Sequence, residues 1–461
     1  MTSLDPHIFR AYDIRGKVGD QLNDETFRLV GRGFGSVLRE LYGKDNPTVA
    51  VGRDARTHSP DFEQALIEGL TSTGCQVLHI GETPSPLNYF TICTKELDGG
   101  VQITASHNAS HDNGIKLQTR DAHAYSGEDL QKLHKRIEEE NFADGEGSVE
   151  EFDATAPYLS LLDELFGSIG SNMSVAIDTG NGVAGPVYTK VLKNLGCNLT
   201  ELYTEPDGTF PNHPADPSKA ETLEDLQKAV KENGCQIGFG FDGDGDRLGV
   251  VDEKGDIRTA DEILLLLAKD HLSRHPGKPV VFTVSNSGTL QTEVKKWGGK
   301  PVMCTVGHSF VEHAMQEHKA LLGGEQSGHF FCGEDYFTYD DAFVAALRVL
   351  KIMKESGKTL SELCAEFPTV YQAHEVRPHC EDGDKTRVIQ EITEHFKNDY
   401  SVETMDGARI DFGDVAWAGI RQSNTSPCIS ICLEARSPEK LAEIENIVLS
   451  EVRTHPEVKL D

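Results

Sequence analysis

The sequence lacks any CxxC pair, and its ten cysteines are scattered along the 461 residues. A structural zinc site or a disulfide framework would need closely spaced cysteines, so these cysteines indicate reduced core thiols in a cytoplasmic protein. Long apolar runs are also missing, since ILLLLA at 263–268 is far too short to span a membrane. The first residues show no charged-then-apolar signal pattern. These absences predict a protein with no membrane partner.

Basic charge is scarce as well. Lys and Arg total 44 against 75 Asp and Glu, which gives a net charge of −31. A general affinity for nucleic acid would need a basic stripe, so nucleic acid is excluded as a partner. An anionic substrate would have to be drawn into a locally basic cleft. The hydrophobic share of 38% is ordinary for a globular protein, and the length predicts several domains.

Strand-like and helical patterns alternate over about the first 366 residues. Short β-rich runs end in glycine or aspartate and lead into helical spacing, at 47–56, 174–196, 235–253 and 279–298. Such alternation is typical of α/β units with mostly parallel sheets. The sequence therefore predicts three similar α/β domains.

The last 90 or so residues differ from the rest. They read as a helix, then three strands in series, then a closing helix, which predicts a smaller C-terminal α+β domain. Linkers are expected near 141–157 and 366–379, where acidic, glycine- or proline-containing runs interrupt the pattern. The predicted domains are 1–152, 153–253, 254–366 and 367–461.

Four polar loops carry the candidate chemistry, and the first is TASHNASHDNGIKL at 104–117. Ser106 lies directly after a buried strand pattern, with His107 beside it and Lys116 after an Asn-Gly turn. A serine hydroxyl is a weak nucleophile that needs a base and an acidic or metal partner. A hydrogen-bonded surface turn is the alternative for this loop taken alone.

The second loop is GFDGDGDRLG, in which Asp242, Asp244 and Asp246 alternate with glycines. Carboxylates this close repel one another unless a cation lies between them, and hard oxygen ligands favour Mg²⁺, Mn²⁺ or Ca²⁺. An EF-hand is excluded, although Glu253 falls at its twelfth position, because Arg247 stands where a glycine is needed and the flanks are strands. The alternative is a solvated acidic turn.

The third loop is LGGEQSGHF at 322–330, where Glu325, Ser327 and His329 alternate. In extended backbone these side chains would point the same way, which would suit a polyhydroxylated ligand. A polar turn is an equally good interpretation.

The fourth loop is GIRQSNTSP at 419–427. It offers guanidinium, hydroxyl, amide and backbone N–H donors, which is the chemistry of a phosphate cradle. The candidate donors are Arg421, Ser423, Asn424 and Thr425. A capped turn is the alternative.

Together the four loops supply the parts for phosphoryl transfer on a sugar phosphate. At this point the sequence resembles the α-D-phosphohexomutase superfamily, and most of all its bacterial phosphomannomutase/phosphoglucomutase group. The resemblance covers nearly the whole chain. Its motifs are FRAYDIRG (9–16), GRDAR (52–56), TASHN (104–108), DTGNGVAG (178–185), PDGTFPNHPADP (206–217), DGDGDR (242–247), VGHSF (306–310), GGEQSGH (323–329) and RQSNTSP (421–427).

The resemblance implies four domains around a central cleft, each supplying one loop. It implies that Ser106 is a phosphoserine whose phosphate completes the shell of one Mg²⁺ held by the three aspartates. Arg15, Lys116, His107 and His329 are then candidate catalytic residues, and which group is the acid and which the base stays open. The implied substrate-binding residues are Tyr12, Arg247, His308, Glu325, Ser327, His329, Arg421, Ser423, Asn424 and Thr425.

The implied reaction moves a phosphoryl group reversibly between the 1- and 6-positions of mannose or glucose phosphates. It passes through a hexose 1,6-bisphosphate, which also serves as activator, and a monomer or weak oligomer is expected. Phosphoglucosamine mutase, a Mg²⁺-dependent sugar phosphatase and a non-catalytic sugar-phosphate-binding protein remain alternatives.

Two positions depart from the family pattern. Ser285 and Glu312 stand where the phosphomannomutase group commonly has lysine, so two cationic contacts are missing from that pattern. GGEQSGH also resembles the phosphoglucosamine mutases, whereas RQSNTSP and YDDAFVAAL resemble the mannose/glucose enzymes. The preference among mannose, glucose and glucosamine is therefore left open.

Overall fold

The computed structural model describes residues 4–423 and 427–460, which form two compact units. Unit 1 comprises Met1–Ala260 and Ser327–Glu362, and unit 2 comprises Asp261–Gln326 and Leu363–Asp461. No helix in these described ranges has both the length and the hydrophobicity that a membrane span requires.

The first sheet of unit 1 is mixed, with strand order β1-β5-β4-β2-β3-β6. Strands β4, β2, β3 and β6 are parallel, whereas β5 runs antiparallel to β4 and β1. The elements are β1 (Ile14–Lys17), α1 (Asp24–Tyr42), β2 (Thr48–Arg53), α2 (Ser59–Thr71), β3 (Gln76–Glu82), α3 (Ser85–Thr94), β4 (Gly99–Ile103), β5 (Asp112–Thr119), α4 (Glu128–Glu138) and β6 (Ser148–Glu151).

Capping residues and apolar periodicity explain the helices of this sheet. Helix α1 begins after Asn23, whose side chain accepts the Thr26 N–H, and ends at Gly43 in the left-handed conformation. Its buried face, with Phe27 and Phe34, packs into a core shared with the central strands. The carboxyl end of β4 and the start of β5 are thereby held on a rigid support.

Strand β6 lies inside the run that the sequence predicted as a linker. Ser148–Glu151 pairs in parallel with Gln76–His79 at the edge of the sheet. All four of its residues are exposed. Because neither face is buried, the segment lacks the alternation that identifies a strand, and only its pairing reveals it.

The second sheet of unit 1 is also mixed, with order β11-β10-β9-β7-β8. Strands β9, β7 and β8 are parallel, and β10 returns antiparallel to β9 after the turn that contains the three aspartates. The elements are α5 (Thr155–Phe166), β7 (Ser174–Asp178), α6 (Gly185–Asn194), β8 (Asn198–Leu202), α7 (Glu224–Asn233), β9 (Ile237–Phe241), β10 (Leu248–Asp252) and β11 (Ile257–Arg258).

The chain then enters unit 2, where three parallel strands lie in the order β13-β12-β14. The ILLLLA run at 263–268 is in helix α8, not in a strand. The elements are α8 (Ala260–Arg274), β12 (Pro279–Thr283), α9 (Gly288–Lys296), β13 (Lys300–Cys304), α10 (His308–His318) and β14 (Leu322–Gly324).

A short return to unit 1 contributes β15 (Phe330–Cys332) and α11 (Ala342–Ser356), and α12 (Leu360–Cys364) follows. Helix α11 begins after Asp341, whose carboxylate accepts the N–H groups of Phe343 and Val344. This cap fixes the segment that precedes α11, which includes Asp340.

The last part of unit 2 is an antiparallel sheet with order β16-β20-β19-β18-β17 and its own apolar core. The elements are β16 (Tyr371–Gln372), α13 (Asp382–Phe396), β17 (Ser401–Glu403), β18 (Ala408–Gly413), β19 (Ala416–Gln422), β20 (Ile429–Ala435) and α14 (Pro438–Val452). The predicted fold class, α/β segments followed by a smaller α+β domain, is confirmed.

Candidate active site

Ser106 lies in the loop between β4 and β5, where the backbone turns sharply. Its φ of 51° is in the left-handed region, and its N–H donates to Thr104 Oγ1 at 2.8 Å. The side chain is buried, and its hydroxyl donates to Asp242 Oδ2 at 2.7 Å. The serine predicted from one loop therefore contacts the first aspartate of another.

The aspartate turn between β9 and β10 is fully buried. Its three carboxylates offer oxygens that lie within 4.8 Å of one another. Asp242 Oδ1 accepts the N–H groups of Asp246 at 3.0 Å and Arg247 at 3.1 Å. A Cβ at Gly243 would lie 2.5 Å from the Ser106 carbonyl oxygen, so only glycine allows this turn to approach the serine loop so closely.

Lys116 and Ser85 bind the outer side of the aspartate cluster. Lys116 Nζ donates to Asp244 Oδ2 at 2.7 Å and also bonds Asp246. Ser85, the first residue of α3, donates to the same Asp244 Oδ2 at 2.6 Å. The remaining oxygens, Asp244 Oδ1 and Asp246 Oδ1, are buried and have no hydrogen-bond partner in the described part of the chain.

The three carboxyl groups of this cluster are hydrogen-bonded to only one ammonium group within the described residues, that of Lys116. Burial raises the pKa of Asp242 well above its usual value, and repulsion from Asp244 and Asp246 adds to the effect. Burial would likewise raise the pKa of Asp246, but Lys116 holds it below the usual value. Burial alone would lower the pKa of Lys116, but Asp244 and Asp246 raise it well above its ordinary value. Asp242 therefore holds a proton more readily than an ordinary aspartate, whereas the charged form of Lys116 is stabilised.

His107 and Arg15 flank the serine. His107 Nδ1 lies 3.2 Å from Ser106 Oγ, and burial, followed by the charges of Arg247 and Arg15, lowers the pKa of His107 well below its usual value. Arg15, on β1, donates through Nε to Asp13 Oδ2 at 2.6 Å and through Nη1 to the carbonyl that precedes Ser106 at 3.2 Å. Both predicted residues are thus at the serine loop.

His329 belongs to the same cluster through two hydrogen bonds. Its Nδ1 lies 2.8 Å from Asp340 Oδ2, and its Nε2 accepts from Arg247 Nε at 3.0 Å. Arg247 Nε also lies 3.9 Å from Asp242 Oδ2. Since Nε2 accepts a hydrogen bond, the neutral ring carries its proton on Nδ1, facing Asp340.

The backbone around the third loop is not extended. Residues 325–328 form a turn after β14, so the extended backbone on which the argument from alternating side chains depended is absent there. Ser327 is half-buried in this turn, and Tyr12 is half-buried in the bend before β1.

Within unit 2, Glu325 and His308 occupy neighbouring positions. Glu325 is buried, and its Oε1 accepts the Gly307 N–H at 2.7 Å, directly before His308 begins α10. Glu312, farther along α10, accepts from Gln316 Nε2 at 3.0 Å.

The described part of the fourth loop overlaps the end of β19, and two cationic side chains contact its Ser423. Arg421 lies on β19, and Ser423 is held at its end. Arg377 donates to Ser423 Oγ at 3.0 Å, and Lys385 donates to the Ser423 carbonyl at 3.1 Å. Asn424 and Thr425 lie outside the described residues.

Several neighbours of the site were missed by sequence reasoning. The sequence around each resembles an ordinary turn or helix start, and only its spatial partner reveals it. Asp340, for example, immediately precedes Asp341, which caps α11. In the sequence Asp340 therefore looks like part of a helix start, and nothing nearby indicates its contact with His329. These residues are Ser85, Asp340, Arg377 and Lys385.

Comparison with known proteins bears directly on this geometry. Four families described as phosphoglucomutase/phosphomannomutase match in order: the alpha/beta/alpha domains I, II and III at residues 6–144, 156–255 and 259–371, and the C-terminal domain at 375–450.

The chain belongs to the phosphoglucomutase/phosphomannomutase family. It is 38% identical over 453 residues to a phosphomannomutase/phosphoglucomutase of Pseudomonas aeruginosa, covering 98% of this chain and 96% of that protein. It is 37% identical to a phosphoglucomutase of Neisseria gonorrhoeae, with 99% of each chain covered.

A solved structure of a phosphoglucomutase/phosphomannomutase family protein from Burkholderia thailandensis matches with a TM-score of 0.91. It is 35% identical and covers 99% of both chains. The resemblance drawn from the motifs is therefore confirmed for the whole chain, and the fold and the enzyme class follow from it.

Proposed function

We propose that the protein interconverts hexose 1-phosphates and hexose 6-phosphates, with mannose and glucose as the sugars, through a phosphorylated Ser106. The observation that carries the proposal is the buried contact between the Ser106 hydroxyl and Asp242, 2.7 Å apart. A serine placed against a carboxylate cluster and flanked by Lys116 and Arg15 is equipped to hold a phosphoryl group.

The residues present fit a divalent cation. Two buried carboxylate oxygens, on Asp244 and Asp246, have no hydrogen-bond partner among the described residues, and leaving such groups unpaired is costly. The donors are all oxygens, which favours Mg²⁺ over softer metals. His329 is less suited as a ligand because both of its ring nitrogens already have partners. Asp242, Asp244 and Asp246 would hold Mg²⁺ together with Ser106, and the ion would stabilise charge on the transferring group.

The chain's own residues position the reaction. Arg15 places positive charge at the serine loop, and Lys116 places it at the aspartate cluster that Ser106 contacts. In the forward step the bond between Ser106 Oγ and phosphorus breaks and the sugar hydroxyl oxygen gains the phosphoryl group, so the hydroxyl gives its proton to a base and Ser106 Oγ gains a proton. His107 Nδ1 lies 3.2 Å from Ser106 Oγ and is one candidate for exchanging a proton there. The buried position of Ser106 limits hydrolysis of the phosphoserine by water.

The resulting 1,6-bisphosphate must reverse its orientation so that its other phosphate rephosphorylates Ser106. The cations around Ser423, namely Arg377, Lys385 and Arg421, suit the phosphate that is not reacting. Hexose 1,6-bisphosphate would therefore also act as activator by phosphorylating free Ser106. None of the ten cysteines, all of which lie in the described ranges, forms a disulfide, which suits the predicted cytoplasmic location. The monomeric or weakly oligomeric state and the domain boundaries stay predictions.

The decisive experiment is a coupled mutase assay with mannose 1-phosphate, glucose 1-phosphate and glucosamine 1-phosphate in parallel, each with catalytic hexose 1,6-bisphosphate. Conversion of the first two to their 6-phosphates is expected. Steady release of inorganic phosphate without 6-phosphate would instead identify a phosphatase, and binding without turnover would identify a non-catalytic protein.

A further inference from the structure

Arg56, the last residue of GRDAR, is fully buried and lies outside the candidate residues described above. A buried guanidinium is costly unless each of its donors finds an acceptor. The hydrogen-bond acceptors of the Arg56 guanidinium therefore indicate its role.

Four hydrogen bonds from Arg56 go to backbone carbonyls of one loop. Its Nη2 donates to Ser106 O at 2.8 Å and Asn108 O at 2.7 Å, and its Nη1 donates to Ala109 O at 2.6 Å and Asp112 O at 3.0 Å. These carbonyls lie on Ser106 itself and on the residues that follow it up to the start of β5. A single guanidinium thus forms hydrogen bonds to carbonyl groups along the serine loop, from Ser106 to Asp112.

The guanidinium is itself fixed from the other side. Asp54 Oδ2 accepts from Arg56 Nε at 2.9 Å, and Asp54 Oδ1 accepts from Ser59 Oγ at 2.8 Å. The ring of Phe210 covers the guanidinium, with Cζ 5.1 Å from the ring centre. A Cβ at Gly208 would lie 2.3 Å from the Ala55 carbonyl, so the PDGTF segment packs directly against this part of the chain.

The loop needs such support because Ser106 has a positive φ, which a non-glycine residue rarely adopts without constraint from its surroundings. A lysine could not replace the arginine. Its ammonium has three donors and no planar fork, so it cannot reach four carbonyls and a carboxylate together.

We propose that Arg56 is a positioning residue that holds the serine loop in the geometry in which Ser106 gives and accepts the phosphoryl group. This inference rests on the proposed function, in which Ser106 is the phosphorylated residue. The inference gives a role to two motifs that have none in the reaction itself. GRDAR supplies the arginine that holds the loop, and PDGTF supplies the ring that covers this arginine.

The test compares Arg56→Lys with a matched control, Arg39→Lys. Arg39 also lies in the first domain and donates to backbone carbonyls, those of Thr73 and Asp144, but not to the serine loop. For Arg56→Lys we expect kcat to fall by at least about tenfold, since small misplacements of reacting groups are costly. The KM for glucose 1-phosphate should stay within about threefold, because other loops bind the sugar. Arg39→Lys should lower the melting temperature and leave kcat unchanged.

Asp54→Asn provides a second variant should Arg56→Lys fail to fold, because it loosens the guanidinium without removing it. It should lower kcat in the same direction, with KM again little changed, and phosphoenzyme isolated from the variant should lose phosphate to water faster than wild type. A folded Arg56→Lys or Asp54→Asn protein with wild-type kcat would overturn the inference, as would an equal fall in kcat for Arg39→Lys. Wild-type protein without mutase activity or phosphoserine would instead overturn the proposed function.

Discussion

Ser106 illustrates how much of the site depends on single residues. Its left-handed backbone costs on the order of 1–3 kcal/mol, which the surrounding hydrogen bonds must offset. Its hydroxyl is buried against Asp242, so its reactivity depends on a neighbour far away in sequence. The residue type was readable from the sequence, but this conformation was not.

The first prediction concerns the nucleophile. Ser106→Ala should lower kcat by about a thousandfold or more, because the phosphorylated residue is removed. Purified wild-type protein should carry phosphate on Ser106 in part of the sample, as seen by phosphopeptide mapping. Ser110→Ala, an exposed serine in the same loop, is the control and should be fully active. Label on Ser110 would refute the assignment.

The second prediction concerns the metal. EDTA should abolish activity and Mg²⁺ should restore it, because the ion that the three aspartates would hold stabilises charge on the transferring phosphoryl group. Asp244→Asn should mimic metal removal, measured as Mg²⁺-dependent kcat and as Mg²⁺ binding by calorimetry. Asp225→Asn, an exposed aspartate, should change neither. Full activity in chelator would contradict the site.

Strand β6 is an exposed edge strand, and a side-chain contact from β3 helps to hold it on the sheet. His79 on β3 pairs with Glu63 at 3.1 Å and with Glu151 of β6 at 2.8 Å. The close contact with the Glu63 carboxylate, and after it the hydrogen bond to Glu151, raises the pKa of His79 to about 9, even though burial opposes this. The charged histidine therefore ties the edge strand to the sheet.

The third prediction follows from that pKa. Because the folded-state pKa is above the unfolded value of about 6.5, the stabilisation is complete below about pH 6.5 and is lost as pH rises through about 9. His79→Gln should lower the free energy of unfolding by roughly 1–2 kcal/mol at pH 6, a figure reduced because Glu151 is exposed. The difference should shrink by pH 9.5 in urea titrations. A loss of free energy for His79→Gln that is the same at pH 6 and at pH 9.5 would contradict the mechanism.

The elements themselves were largely predictable. Buried strands such as β9 and capped helices such as α1 have local patterns that burial and capping impose. Strand β6 and the turn at 325–328 were missed, because an exposed edge strand has no apolar alternation and a polar alternation does not require extended backbone.

Substrate preference is a question for the whole molecule, because the family resemblance implies that several loops contact one sugar phosphate. By family resemblance Glu325 and Ser327 would bind the 3- and 4-hydroxyls, which mannose and glucose share. No residue has been assigned to the 2-position, and strong discrimination needs a buried partner left unpaired.

The fourth prediction is therefore dual specificity. Mannose and glucose phosphates should differ by no more than about tenfold in kcat/KM, or roughly 1.4 kcal/mol. Galactose phosphates should be poor substrates, because the 4-hydroxyl is inverted. Parallel kinetics on the epimers provide the measurement. A preference above about a hundredfold would mean that another residue contacts the 2-hydroxyl, and Ser285 and Glu312 are the first positions to exchange for lysine.

The sequence by itself determined which chemical groups the protein carries: the serine, the three glycine-spaced aspartates, and the order of α/β segments that places each loop at a strand end. Local spacing suffices for these, because backbone conformation and hydrophobic periodicity are short-range properties. Only the tertiary structure decided which groups meet. Ser85 reaches Asp244 across 159 positions and Arg56 reaches Ser106 across 50, and no local pattern encodes a contact between distant segments. The nucleophile could be identified from the sequence because the chemistry depends on its residue type. The residues that hold it could not, because their role depends only on where they lie in the folded chain.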